Sequence, residues 1–233
     1  MLDYWLKKLQ FSLFPARCVL CGAPGQGQHD LCPDCRAGLP RNRHPCPICG
    51  QPGGLLSCTC HGHWPFERTI APLLYRHPVD MLVLRLKFSR QLPIAPLLGT
   101  LLAEQVSASG LALPEAILPV PLHPSRLRER GFNQALEIAR PLARQFALPL
   151  LDDHVRRLRP TVAQSTQNAQ ERQRNLRRAF VLDRPLPVRH IAIVDDVLTT
   201  GSTVSELATL LRRNGAESVQ VWACARTPPP RTQ

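Results

Sequence analysis

Long apolar runs are missing from this chain of 233 residues, and with them any helix able to span a bilayer. A continuous apolar stretch is also lacking at the N-terminus, where Asp3, Lys7, Lys8 and Gln10 interrupt residues 1–13 and no small-residue cleavage site follows. A secretory signal is therefore not expected. Leu2, Leu6, Leu9 and Leu13 recur at helical spacing instead and read as a packing stripe. The expected compartment is the cytoplasm, where thiols stay reduced and structural disulfides are rare. Aromatic residues are scarce at 5%, which leaves few rings for stacking on bases. Acidic charge is short as well: 17 Asp and Glu face 29 Lys and Arg, nearly all of them Arg, so the formal charge is +12. The imbalance points to an anionic partner, phosphate or nucleic acid, although a basic surface coat alone has the same signature. A hydrophobic content of 44% excludes global disorder.

Cysteine is plentiful but confined. Eight of nine cysteines precede residue 65, among many Gly and Pro. Cys18–Cys21, Cys32–Cys35 and Cys46–Cys49 are three CxxC pairs whose first members are 14 residues apart, and Cys58-Thr-Cys60 follows. One CxxC knuckle offers two thiolates to an ion, and two knuckles complete a tetrahedral sulfur shell. Eight thiols suit two structural Zn²⁺ sites. The simplest pairing takes Cys18, Cys21, Cys32 and Cys35 together, then Cys46, Cys49, Cys58 and Cys60. Interleaved pairing stays open, as does replacement of a cysteine by His61 or His63. Disulfides do not suit a reducing compartment, and four pairs in a row favour metal over a redox motif. Cys224, far away in an apolar strand, reads as buried packing.

The composition changes near residue 65, and strands and helices then alternate. Residues 69–75 read as a strand, 80–88 and 97–106 as helices, and 116–122 as a strand placed at an edge or near its end by Pro119 and Pro121. Residues 133–146 read as a helix with a kink at Pro141. A buried strand over 189–194 precedes a helix over 203–213, and a last strand covers 218–225. Alternation of this kind predicts an α/β fold with a mostly parallel sheet and flanking helices. The expected division is an N-terminal helix and cysteine module over 1–65, an α/β domain over 66–226 and a loose tail over 227–233.

The stretch from Ile191 to Thr203 carries the chemistry. An apolar strand ends in Asp195 and Asp196, a loop with Thr199, Thr200, Gly201, Ser202 and Thr203 follows, and a helix begins. Free amides at a helix N-terminus and hydroxyl donors suit a phosphate, and glycine lets the backbone approach it. The acids suit ribose hydroxyls, directly or through Mg²⁺. A strand-to-helix turn with an ordinary cap would need one acid and one hydroxyl, not two acids and four hydroxyls.

The run Val194-Asp-Asp-Val-Leu-Thr-Thr-Gly201 resembles the phosphoribosyl pyrophosphate (PRPP) loop of type I phosphoribosyltransferases. The run from Pro119 to Gln134, the stretch from Gln164 to Phe180, the Leu86-Lys87-Phe88 segment and the cysteine knuckles are similar to the competence protein F (ComF, or GntX) family. The resemblance implies a type I phosphoribosyltransferase-like domain with a zinc-ribbon-like module. It implies that Asp195 and Asp196 meet the ribose hydroxyls and that residues 199–203 hold the 5′-phosphate. It places Lys87, His123, Arg126, Arg128 and Arg130 at the pyrophosphate.

Between His123 and Arg178, 12 Arg stand against 5 Asp and Glu. Arginine forks match phosphate oxygens. Residues 159–175 are polar and lack strand periodicity, as a long functional or disordered loop does, and the resemblance implies a lid that closes over PRPP there. Arg126, Arg128, Arg130, Arg172 and Arg174 could equally hold a nucleic-acid single strand by its backbone. Phe132 and Phe180 are the nearest rings for base stacking, and core packing explains them as well. Three functions compete: a single-stranded-DNA-handling protein of DNA uptake that uses PRPP as ligand or signal and has the DNA-uptake machinery as a candidate partner, an active phosphoribosyltransferase, and an assembly factor whose zinc module docks a partner.

Overall fold

The computed structural model describes residues 16–26, 30–54, 58, 64–159 and 179–229. The leucine stripe of residues 2–13, His61, His63 and the end of the tail lie outside that set.

Five strands build one parallel sheet: β1 (Arg68–Ile70), β2 (Leu73–Leu74), β3 (Ala116–Pro119), β6 (His190–Leu198) and β7 (Ser218–Arg226). Their order is β1-β7-β6-β3, and β2 continues beside β7 beyond β1. Residues 69–75 are thus two short strands rather than one. Pro72 separates them, and its carbonyl turns out of the sheet to accept from the Asn42 amide at 2.8 Å. The strand at 116 ends at Pro119 and is the outermost named strand, because a proline nitrogen cannot extend the ladder. The Leu150 segment bridges its outer side.

Both faces of the two central strands are buried, as a parallel sheet requires. Along β6 the side chains alternate. Ala192 and Val194 face α2 (Val79–Ser89), α3 (Ile94–Ala108) and α5 (Gln134–Phe146), through Leu82, Leu86, Leu98, Leu101, Ile138 and Leu142. Ile191 and Ile193 face α6 (Ser202–Arg213), through Val204, Leu207 and Leu211. Cys224 is fully buried on the first face, as expected. Helix α5 runs through Pro141, which lies on the face that meets α3. A Cβ at Gly99 would stand 2.4 Å from Pro141 Cγ and 2.5 Å from the Ile138 carbonyl, so the two helices approach at a glycine.

Two elements were not anticipated. Residues 124–130 form a helix, α4 (Pro124–Arg130), with proline at its start, His123 as N-cap and Gly131 (φ 83°) ending it. These are ordinary start and stop signals in the sequence. The antiparallel pair β4 (Val155–Arg157) and β5 (Phe180–Leu182) stands apart from the main sheet. Residues 160–178, which include most of the expected lid together with Arg172 and Arg174, lie outside the described set.

The cysteine segment is not a separate bead. A short helix, α1 (Pro33–Ala37), joins its knuckles, and Arg36 pairs with Glu104 of α3 at 2.6 Å. Arg85 of α2 donates to the Val19 carbonyl at 3.2 Å, and Cys18 and Cys32 join the core under α2 and α3.

Candidate functional site

Strand β6 does not stop at the acids. It continues through Asp195 and Asp196 to Leu198, paired with β7 as far as Arg226, so the acids project from a strand rather than a loop. Period-2 alternation then separates them. Asp196 is buried at 3%, while Asp195 is half-buried. Asp195 Oδ1 accepts from the Asp196 amide at 2.9 Å. The Asp196 carboxylate receives Lys87 Nζ from α2 in an ion pair and Gln134 Nε2 from α5 at 3.4 Å. Gln134 Oε1 in turn accepts from Arg130 Nη1 of α4 at 2.8 Å, and the Arg130 guanidinium lies 5.3 Å from the centroid of the Phe88 ring. Four elements therefore converge on one acid.

Burial and the neighbouring Asp196 charge hold the Asp195 carboxyl well above the usual carboxylate range, against the pull of Lys87. Burial also lowers the Arg130 and Arg157 guanidinium groups, which Asp196 and Asp195 respectively oppose. Arg157 is buried on β4 and stacks 5.2 Å from the Phe180 centroid.

The hydroxyl loop turns at Gly201, whose φ of 80° disfavours any other residue. A Cβ there would also strike the Trp64 ring at 2.7 Å. Thr200 Oγ1 and Ser202 Oγ share a hydrogen bond of 2.6 Å, and Thr199 and Thr200 are exposed. The N-cap of α6 is Gly201, which has no side chain to offer; Thr200 Oγ1 accepts from the Ser202 amide at 3.4 Å, and the positive dipole end of the helix faces the loop. Beneath it Arg226 is buried at the end of β7. It donates through Nη1 to the Leu198 carbonyl at 2.9 Å and to the Thr199 carbonyl, and through Nε to the Cys49 carbonyl at 2.9 Å.

Of the residues expected at pyrophosphate, Lys87 and Arg130 come together around Asp196. His123 caps α4, its Nδ1 accepting from the Ser125 amide at 3.2 Å. Arg126 pairs with Glu129 on the same helix at 2.9 Å, and Arg128 is exposed. Gln134, Trp64, Arg157 and Arg226 escaped the sequence reading. Gln134 and Arg226 carry a signal that could have found them: each is polar and borders an apolar run.

The Sγ atoms of Cys18, Cys21, Cys32 and Cys35 all lie within 4.8 Å of one another, and those of Cys46, Cys49 and Cys58 do the same. Cys21 and Cys32 sulfurs are 3.7 Å apart, close to the roughly 3.8 Å that a tetrahedral shell with Zn–S of about 2.3 Å imposes. The adjacent pairing is the one formed, with Cys60 outside the described residues. The four-sulfur chemistry fits Zn²⁺, which would cross-link the knuckles and leave no position for substrate. Burial raises the Cys18 thiol, but amide donors at Cys32, Cys21 and Leu20 outweigh it and bring it to about 6. Contacts with Cys21 and Cys32 push the Cys35 thiol upward. No helix among the described residues is long and apolar enough to cross a membrane.

Comparison with known proteins agrees with this geometry. Residues 9–63 match the double zinc ribbon domain family, and residues 133–230 match the phosphoribosyl transferase domain family. The chain is 40% identical over 222 residues to the DNA utilization protein YhgH of Escherichia coli K12, covering 91% of this chain and 98% of that protein. It is 35% identical over 230 residues to competence protein F of Haemophilus influenzae, covering 92% and 99%, and 25% identical over 201 residues to competence protein ComFC of Streptococcus pneumoniae, covering 84% and 87%. A parallel sheet that ends in two acids and a hydroxyl loop, carried behind a double zinc ribbon and matched along almost its full length, places the chain in the competence protein F family of phosphoribosyltransferase-like proteins.

Proposed function

We propose that this protein binds PRPP at the end of β6 and handles single-stranded DNA in the cytoplasm during DNA uptake and use. The observation that carries the reading is the pairing of two acids with a glycine-led helix start and its hydroxyls on adjacent parts of one strand-loop-helix unit. Backbone amides at the start of α6, with Thr199, Thr200, Ser202 and Thr203, take the 5′-phosphate. Asp195 and Asp196 take the ribose hydroxyls. Lys87 and Arg130 offer cations for pyrophosphate at the neighbouring edge, where β3 ends opposite Val194 and β6 runs on past it. The Asp195 carboxyl, strained by its neighbour, suits a divalent cation, and Mg²⁺ arriving with PRPP would relieve the repulsion.

The relatives' names speak of DNA utilization and competence, and the arginines of α4, with Arg128 exposed and Arg126 and Arg130 partly so, supply complementary charge. Arg126, Arg128 and Arg130, with Arg172 and Arg174, form the proposed single-strand surface. Contact is to the phosphate backbone, without sequence preference. The DNA-uptake machinery is a further proposed partner, docked through the zinc module.

A second reading is an active phosphoribosyltransferase. Lys87 and Arg130 beside Asp196 are placed to stabilise charge on departing pyrophosphate while a nitrogen nucleophile attacks the ribose carbon. Calorimetry with Mg²⁺-PRPP tests binding. Asp195→Ala combined with Asp196→Ala should abolish it with the fold intact, and unchanged affinity would reject the assignment. Pyrophosphate release with candidate acceptors, with and without single-stranded DNA, separates the two readings.

A further inference from the structure

Arg226 joins two parts of the molecule that neither the zinc chemistry nor the phosphate loop explains alone. Its side chain is 3% exposed. Nε points one way, to the Cys49 carbonyl of the second cysteine site. Nη1 points the other way, to the carbonyls of Leu198, Thr199 and, at 3.2 Å, Thr227. Leu198 and Thr199 lead directly into the hydroxyl loop. A guanidinium is planar and rigid, so the two sets of partners hold a fixed relative position.

The other carbonyls of the same knuckle are also spoken for, but toward the sheet edge. Pro47 accepts from the Thr69 amide at 2.9 Å, Ile48 from Thr69 Oγ1 at 2.6 Å, and Gly50 from Asn42 Nδ2 at 2.9 Å. Cys49 alone of these turns to the phosphate loop. Trp64, six residues beyond Cys58, makes a second contact by packing against Gly201. The first site, in contrast, docks on α2 and α3 through Val19 and Arg36.

We propose that Arg226 is a positioning residue for the phosphate loop and makes the loop's order depend on metal in the Cys46–Cys49–Cys58 site, but not in the Cys18–Cys21–Cys32–Cys35 site. The physical reason is the cost of a buried donor without an acceptor. When the ion holds Cys46, Cys49 and Cys58 together, the Cys49 carbonyl is fixed and Arg226 is satisfied at both ends. When the thiols separate, the carbonyl moves. Arg226 then follows it, away from Leu198 and Thr199, or loses that bond. The proposal rests on the reading of residues 199–203 as a PRPP loop for its consequence, but not for its test.

The test is hydrogen exchange in the full-length protein, followed at residues 199–203, with zinc content measured on the same samples. Cys58→Ser should lower the zinc content by one ion per chain and speed exchange in the loop by about tenfold, as expected for one lost charge-assisted bond. Cys21→Ser should remove the other ion and leave the loop unchanged. Arg226→Gln should speed loop exchange with both ions bound, and Cys58→Ser added to it should have a smaller effect than it has alone, because only the Trp64 contact then remains. Arg226→Lys, which keeps the charge but cannot bridge both sites, should behave like Arg226→Gln. Equal effects of Cys58→Ser and Cys21→Ser, or a loop indifferent to Cys58→Ser, would overturn the proposal, and that comparison holds even if the Arg226 variants fail to fold. Calorimetry with Mg²⁺-PRPP runs beside it. Wild type that binds no PRPP defeats the functional reading and leaves the exchange result to decide the coupling.

Discussion

The Asp195 carboxyl sits beside a second acid, with Lys87 as the nearest offset. Its folded-state value lies above its unfolded one, so ionisation opposes folding. The penalty is absent at low pH, appears as pH rises through the ordinary carboxylate range near about 4, and is full above the folded value. Asp195→Asn should therefore raise the melting temperature at neutral pH, with the gain fading toward acid, while PRPP binding is lost. Thermal melts across that range decide it, and a variant less stable than wild type at neutral pH would show that the charge is not penalised. Asp196 is buried, and its carboxylate is ion-paired with Lys87. Lys87→Met should cost about 3 kcal/mol by leaving that charge alone, and Asp196→Asn added to it should recover most of the loss in a denaturant titration. The acids themselves were legible in the sequence. Their different burial was not, because it depends on β6 continuing past them with alternating faces.

At the scale of elements, the strand-loop-helix unit is the one most fully written in the local sequence. Glycine, hydroxyls and the apolar period of α6 mark it locally, while Arg226 and Trp64 hold it from distant parts of the chain. Gly201→Ala must adopt a left-handed conformation that costs about 1–2 kcal/mol, and must also displace Trp64. Its expected result is weaker PRPP binding, by tenfold or more, with the zinc content unchanged, read by calorimetry and elemental analysis. Helix α3 meets α5 at Gly99, so Gly99→Ala should destabilise the fold by about 1–3 kcal/mol without touching the loop. Helix α4 carries its own signals, proline, a capping histidine and glycine, but its seven residues are too few and too polar to show an apolar period. Strands β4 and β5 escaped for a different reason. They are three residues each, far apart in sequence, and no local period marks them.

For the whole molecule, zinc and charge are the properties to measure. Protein purified without added metal should carry two zinc ions per chain, and chelation should unfold the cysteine module first, because the module depends on metal cross-links and its knuckles contribute few apolar groups. A metal-free protein that keeps its fold and eight reactive thiols would contradict this. Single-stranded oligonucleotides of unrelated sequence should bind about equally, and each phosphate contact should add roughly 0.7 to the slope of log affinity against log salt. Replacing Arg126 and Arg128 together by Ala should flatten that slope. If wild type shows no salt-dependent binding, the DNA reading fails and the enzyme reading gains.

The sequence by itself determined the fold class, the paired cysteines and the acid-hydroxyl loop, because each rests on residues close together in the chain: a period, a knuckle, a strand running into a helix. The tertiary structure alone decided how these parts are joined. Lys87, Arg130 and Gln134 meet at Asp196 because three helices pack on one strand end. Arg226 reaches both Cys49 and Thr199 because β7 delivers it between the cysteine module and the loop. Such meetings depend on sheet order and helix packing, which bring together residues as far as 177 positions apart and leave no periodic mark in the sequence.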